Sequence, residues 1–122
     1  MASSSATRIQ LCGPLMVEWR GARREADIPG RQGRLLFAYL VLNRHRATSR
    51  DALVEAVWPA GAPPAADTAL AALLSKLRKV VGADHLAGRG EPRILLPEPS
   101  VVDLELARER IHGAESALAS ED

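Results

Sequence analysis

The sequence predicts a small α+β domain in which helices are bracketed by β elements, and three observations carry this. Apolar residues alternate along the first twenty positions, their spacing turns helical between Arg31 and Val81, and two short extended runs then flank a Gly/Pro/Arg tip between Leu86 and Leu96. The chain of 122 residues has room for one compact domain and a short appendage. Its residues are 47% hydrophobic, nearly all aliphatic, and 25% charged, which is the composition of a folding sequence rather than a disordered one.

A Ser/Ala/Thr-rich stretch over 1–7 reads as a flexible leader. Ile9 and Leu11, then Leu15, Val17 and Trp19, alternate around Gly13-Pro14, giving strand, turn, strand. The polar turn Arg20-Gly-Ala-Arg23 leads to a weak third strand near Glu25–Ile28, closed by Pro29-Gly30, so the first thirty residues form an antiparallel meander. From Arg31 to about Asn43, Leu35, Leu36, Tyr39 and Leu40 recur at helical spacing. Ser49 is a good N-cap for a second helix, with Asp51 in its first turn and Leu53, Val54, Val57 and Trp58 facing inward until Pro59 stops it. Pro63 and Pro64 keep the 60–66 loop out of helical geometry. A third helix starts at Asp67 or Thr68, runs to Val81 and ends at Gly82 in a left-handed cap. The hairpin over 86–96 follows. From Asp103 to about Ala119, Leu104, Ala107, Ile111, Ala114 and Leu118 lie on one stripe of an amphipathic helix with an acidic outer face.

Several function classes drop out. One cysteine, Cys12, excludes an internal disulfide and a multi-thiolate zinc site; beside Gly13 in the first strand it reads as a small buried thiol, and its solitude suits a reducing compartment. His45, His85 and His112 stand far apart on different elements and read as surface residues, and no GxxxxGK phosphate loop is present. We therefore expect no catalytic residues, no metal and no cofactor. No apolar run reaches the roughly 20 residues that span a bilayer, and the leader lacks a signal-type stretch, so the expected location is the cytoplasm without membrane contact. The formal charge of +1 hides an asymmetry: residues 1–100 carry +5 and residues 101–122 carry −4. A basic body permits a polyanionic partner.

On a helical wheel the third helix puts Leu70, Leu73, Leu74, Leu77, Val80 and Val81 on one arc and Thr68, Ala72, Ser75, Lys76 and Lys79 on the other. Such a cationic face, taken alone, reads as a solvated surface. Arg89 and Arg93, beside Gly88 and Gly90, read alone as an ordinary glycine turn with solvated arginines. Together they say more. A helix, a Pro-containing loop, a second helix with a basic outer face and a basic hairpin follow one another in the order of a winged helix-turn-helix.

At this point the sequence resembles a known family. Ile28-Pro-Gly-Arg-Gln-Gly-Arg-Leu-Leu-Phe-Ala-Tyr-Leu-Val-Leu-Asn-Arg44, Ser49-Arg-Asp-Ala-Leu-Val-Glu-Ala-Val-Trp-Pro59 and Ser75-Lys-Leu-Arg-Lys79 are similar to the N-terminal DNA-binding domain of Streptomyces antibiotic regulatory proteins, whose winged helix is of the OmpR/PhoB type. The resemblance covers roughly 8–99, while 100–122 resembles the first helix of the family's transcriptional activation domain. It implies sequence-specific binding to duplex DNA by a transcriptional activator. Ala71, Ala72 and Lys76 would face bases; Thr68, Ser75, Arg78 and Trp58 would approach phosphates; Lys79 would add charge, and Arg89 and Arg93 would enter the minor groove. It also implies RNA polymerase contact through the 60–66 loop, and a monomer in solution that lines up in tandem copies on direct repeats. Relatives often carry larger polar residues at Ala71 and Ala72 and an arginine cluster along this helix, and their wing tip often reads Gly-Tyr-Arg where this chain has Glu91-Pro92. The competing reading is a protein-interaction module that keeps the winged-helix scaffold and binds a partner through the acidic C-terminal helix, without strong DNA binding.

Overall fold

A computed structural model of the chain describes residues 6–46, 48–88 and 90–105. Strands β1 (Thr7–Gln10), β2 (Met16–Trp19) and β3 (Ala22–Arg23) form the expected antiparallel meander, with Ile9 opposite Val17 and Trp19 opposite Ala22. The alternation does its work here: Ile9, Val17 and Trp19 are buried, and Arg8 between strand neighbours is exposed. β1 begins at Thr7, the last residue of the expected leader, whose buried hydroxyl accepts the Arg20 N–H at 3.1 Å.

The weak strand expected at Glu25–Ile28 is instead a 3-10 turn, Glu25–Asp27, and the third strand lies just upstream. The reason is local: the Glu25 carboxylate accepts the Val17 N–H at 2.8 Å and the Arg23 guanidinium at 2.9–3.1 Å, which draws the chain into a turn against β2. The sheet also gains a fourth strand. β6 (Ser100–Val102) pairs in parallel with β1, giving the order β3-β2-β1-β6, so the sheet takes in residues that the sequence reading placed beyond the domain.

Helices α1 (Gly30–Leu42), α2 (Arg50–Val57) and α3 (Ala66–Val81) pack on one another beside this sheet. Leu36, Phe37, Leu40 and Val41 of α1, Leu53 and Val57 of α2, and Leu70 and Leu77 of α3 are at most 1% exposed, and they join Ile9, Val17 and Trp19 in one core. Phe37 meets Trp19 edge-on at 6.3 Å, locking α1 to the sheet. The Ser49 hydroxyl caps α2 by accepting the Ala52 N–H at 3.1 Å. α3 starts one residue earlier than expected, at Ala66, without a side-chain cap, and Gly82 ends it at φ 96° and ψ 147°, a positive-φ conformation suited to glycine but with ψ outside the left-handed helical well.

A 3-10 turn (Ala83–His85) leads into the wing, where β4 (Leu86–Ala87) pairs with β5 (Arg93–Ile94) and buries Leu86 and Ile94. His85 is half-buried rather than a plain surface residue: Nδ1 donates to the Leu95 carbonyl at 2.7 Å, Nε2 accepts from Arg20 at 2.9 Å, and the ring meets Trp19 edge-on at 5.6 Å. It ties the wing to the meander. Cys12 is exposed, which corrects the expectation of a buried thiol; β1 has already ended at Gln10, leaving Cys12 in the loop. Partial desolvation and the adjacent Asp103 charge raise its thiol pKa. Residues 103–105 open a helical turn, and the rest of the amphipathic stripe, with His112, lies outside the described residues.

Candidate nucleic-acid interface

The two faces of α3 separate as the wheel requires. Leu70, Leu74, Leu77 and Val81 are buried and Leu73 and Val80 half-buried, whereas Thr68, Ala71, Ala72, Ser75, Lys76 and Lys79 are exposed. A helix held through its apolar stripe offers the opposite face as a rigid surface. That surface is low at Ala71 and Ala72 and rises to the Ser75 hydroxyl and Lys76 ammonium one turn later, with the Lys79 ammonium a turn beyond. Arg78 and Lys79 fall in the last turn, where positive charge is favoured by the helix dipole.

Arg78 stands apart from the exposed set. It is half-buried, and its Nε donates to the Leu86 carbonyl at 3.3 Å, so it braces the wing against α3. With Arg50, Ala71, Leu74 and Gly88 it lines a cleft of about 290 Å³ where α2, α3 and the wing meet. Sequence reasoning missed Arg50. The available signal was electrostatic: Arg50 is the first residue of α2, where a cation opposes the helix dipole, so its presence calls for a reason other than helix stability. Its Nη2 reaches the Asp67 carbonyl at 3.4 Å, linking the start of α2 to the first turn of α3.

The wing arginines have different standings. Arg89 lies outside the described residues. Arg93 is exposed on β5, and its Nε donates to the Arg44 carbonyl at 2.8 Å. Trp58 is half-buried, packs against the core and lines a cavity of about 210 Å³ with Arg31, Gln32, Leu35 and Pro59, where α1 meets the loop leaving α2. The structure thus gathers Arg50, Ala71, Arg78 and Gly88 around one cleft, with Trp58 at the end of α2. His45 is exposed, and among the described residues no group of three or more His, Cys, Asp or Glu side chains could hold a metal ion. No described helix is long and apolar enough to cross a membrane.

A sheet, three helices whose third presents a cationic face, and a following hairpin define a winged helix-turn-helix of the OmpR/PhoB type, the fold class of transcriptional regulators. Comparison with known proteins agrees: residues 24–94 match the family described as "Transcriptional regulatory protein, C terminal". The chain is 31% identical over 121 residues to the regulatory protein AfsR of Streptomyces griseus, covering 99% of this chain and 12% of AfsR. It is 33% identical over 86 residues to the transcriptional regulatory protein EmbR of Mycobacterium tuberculosis, covering 70% of this chain and 21% of EmbR. The solved structure of Mycobacterium tuberculosis EmbR in complex with a low affinity phosphopeptide superposes with a TM-score of 0.65 at 30% identity, over 80% of this chain and 27% of that one. This chain belongs to the OmpR/PhoB-type family of winged-helix transcriptional regulators and is of the Streptomyces antibiotic regulatory protein type. It spans a small part of the relatives it matches.

Proposed function

We propose that this chain is the sequence-reading module of a cytoplasmic transcriptional activator, laying α3 in the major groove of duplex DNA and the wing along the flanking minor groove. The observation that carries the reading is the exposed face of α3, where small side chains permit close approach and Lys76 and Lys79 supply charge beside a wing that carries Arg93. In this arrangement Ala71, Ala72 and Lys76 meet base edges, and Thr68, Ser75, Arg78, Lys79 and Trp58 approach phosphates. Arg50, at the same cleft as Arg78, adds to that second group. Arg89 and Arg93 serve the minor groove, where a narrow A/T-rich flank attracts a guanidinium most strongly.

A single domain reads a short half-site, so we assign the chain monomeric behaviour in solution and tandem, same-direction occupancy of direct repeats on DNA. The 60–66 loop, exposed from Ala60 to Ala65, is the surface we assign to RNA polymerase. The test is selection of bound sequences from a random duplex pool, followed by affinity measured across salt concentrations on the selected site. Several phosphate contacts make affinity fall steeply with salt. Enrichment of a repeated half-site with a steep salt slope supports the reading. A flat salt response and no enrichment would transfer the chain to the class of protein-interaction modules. Sedimentation without DNA should give a monomer, and a dimer abolished by Ile111→Asp would overturn the tandem arrangement.

A further inference from the structure

Arg44, in the turn between α1 and α2, joins three parts of the molecule. Its Nη1 donates to the Val41 carbonyl at 2.8 Å, closing the C-terminal end of α1. The same guanidinium grips the Glu105 carboxylate with two hydrogen bonds, Nη1 to Oε2 and Nη2 to Oε1 at 2.7 Å. Its main-chain carbonyl accepts the Nε–H of Arg93 from the wing. The Arg44 side chain is 15% exposed and that of Glu105 28%, so this two-pronged pair is sheltered from the screening that weakens open surface pairs. Glu105 is itself placed by its neighbour: Asp103, two residues before it, accepts the N–H groups of Leu11 at 2.8 Å, Cys12 at 3.1 Å and Leu104 at 2.7 Å.

From this arrangement we propose that Arg44 and Glu105 are positioning residues for the wing arginine, Arg93, and so set how strongly the protein discriminates A/T-rich flanks. The inference rests on the wing contact proposed above. An arginine held at Nε keeps four N–H donors on its two Nη groups for phosphate oxygens or base edges. Fixing its stem before DNA arrives removes rotamer entropy that binding would otherwise have to overcome. The carbonyl that holds it is fixed in turn by the Glu105 clasp, which makes the segment following β6 a lever on the wing.

The experiment is a double-mutant cycle on the full chain. Glu105→Ala and Glu105→Gln are made alone and with Arg93→Ala, and affinity is measured on duplexes with A/T-rich and G/C-rich flanks, with unfolding midpoints recorded alongside. The inference expects each Glu105 change to weaken binding to the A/T-flanked site about three- to tenfold and to do almost nothing once Arg93 is alanine. Equal losses in both backgrounds would make the clasp a structural brace and overturn the inference. If Arg93→Ala weakens binding and the Glu105 variants do not, the inference alone falls. If Arg93→Ala is itself silent, the wing contact falls and takes the inference with it. Glu105→Gln keeps the side-chain shape, so it decides the matter should the alanine variant unfold.

Discussion

Replacing Lys76 by alanine tests the proposed recognition face at its most informative point. Lys76 is exposed, one turn beyond Ala72, on a helix anchored through Leu74 and Leu77. Alanine is the better helix former, and an exposed side chain of this kind changes folding stability by no more than about 0.5 kcal/mol. A loss of affinity therefore belongs to the complex. If Lys76 reads a guanine through O6 and N7, the loss is about 1–3 kcal/mol, or roughly 5- to 150-fold in Kd. Fluorescence anisotropy on the selected duplex and on a set carrying single base-pair changes gives the pattern. We expect a large loss on the parent site, little preference left at one base pair, and an unchanged salt slope. Equal losses on specific and random DNA, with the slope reduced by about one, would instead make Lys76 a phosphate contact. No loss on either would refute the placement of α3.

Leu77→Ala empties a fully buried position on the inner face of α3 and should cost about 2–5 kcal/mol, a large part of the 5–15 kcal/mol typical of a domain; thermal unfolding checks this, with Leu95→Ala, 41% exposed, as the mild control. Gly88→Ala, at φ +84°, forces a side chain into the Glu91 carbonyl, so DNA affinity should fall more than the unfolding midpoint does. The Glu25 carboxyl is held down from 4.5 to about 2 by the Arg23 guanidinium and the Val17 N–H. Its folded pKa lies below the unfolded one, so its stabilisation is complete above pH 4.5 and disappears as the pH falls towards 2; the unfolding midpoint of Glu25→Gln should vary less with pH across that window.

Where a pattern had a single physical meaning, it was legible. Burial of Leu70, Leu74, Leu77 and Val81 follows from 3.6-residue periodicity, and the Ser49 cap from a hydroxyl placed to accept one of the open N–H groups of α2. What escaped depends on partners that the local pattern does not name, some of them distant in sequence. No local signal distinguishes Ser100–Val102 from a linker, because its hydrogen bonds go to β1 more than ninety residues earlier. Glu25 reads as part of a strand until Arg23 and Val17 are seen to converge on its carboxylate. The same limit hid the site's supports: Arg50 sits beside a stronger cap signal, and Arg44 and Glu105 are 61 residues apart, so neither announces its partner.

The face of α3 proposed to meet DNA bears on specificity. With alanine at positions 71 and 72, the middle of α3 has no hydrogen-bonding group to present to base edges, and its methyls can make only apolar contacts, of which the thymine methyl is the main major-groove example. In the proposed docking, polar base readout falls to Lys76 alone, since Thr68 and Ser75 are given to phosphates. Fewer direct contacts shift the burden of discrimination to geometry, meaning how rigidly α3 and the wing are held relative to one another. The structure invests in that rigidity: Arg78 bonds the wing strand to α3, His85 bonds it to the meander, and Arg93 bonds it to the turn after α1. Three separate ties on a hairpin of two residue pairs make the wing part of the framework, and a rigid frame reads the shape of the DNA as energy even at positions it does not touch.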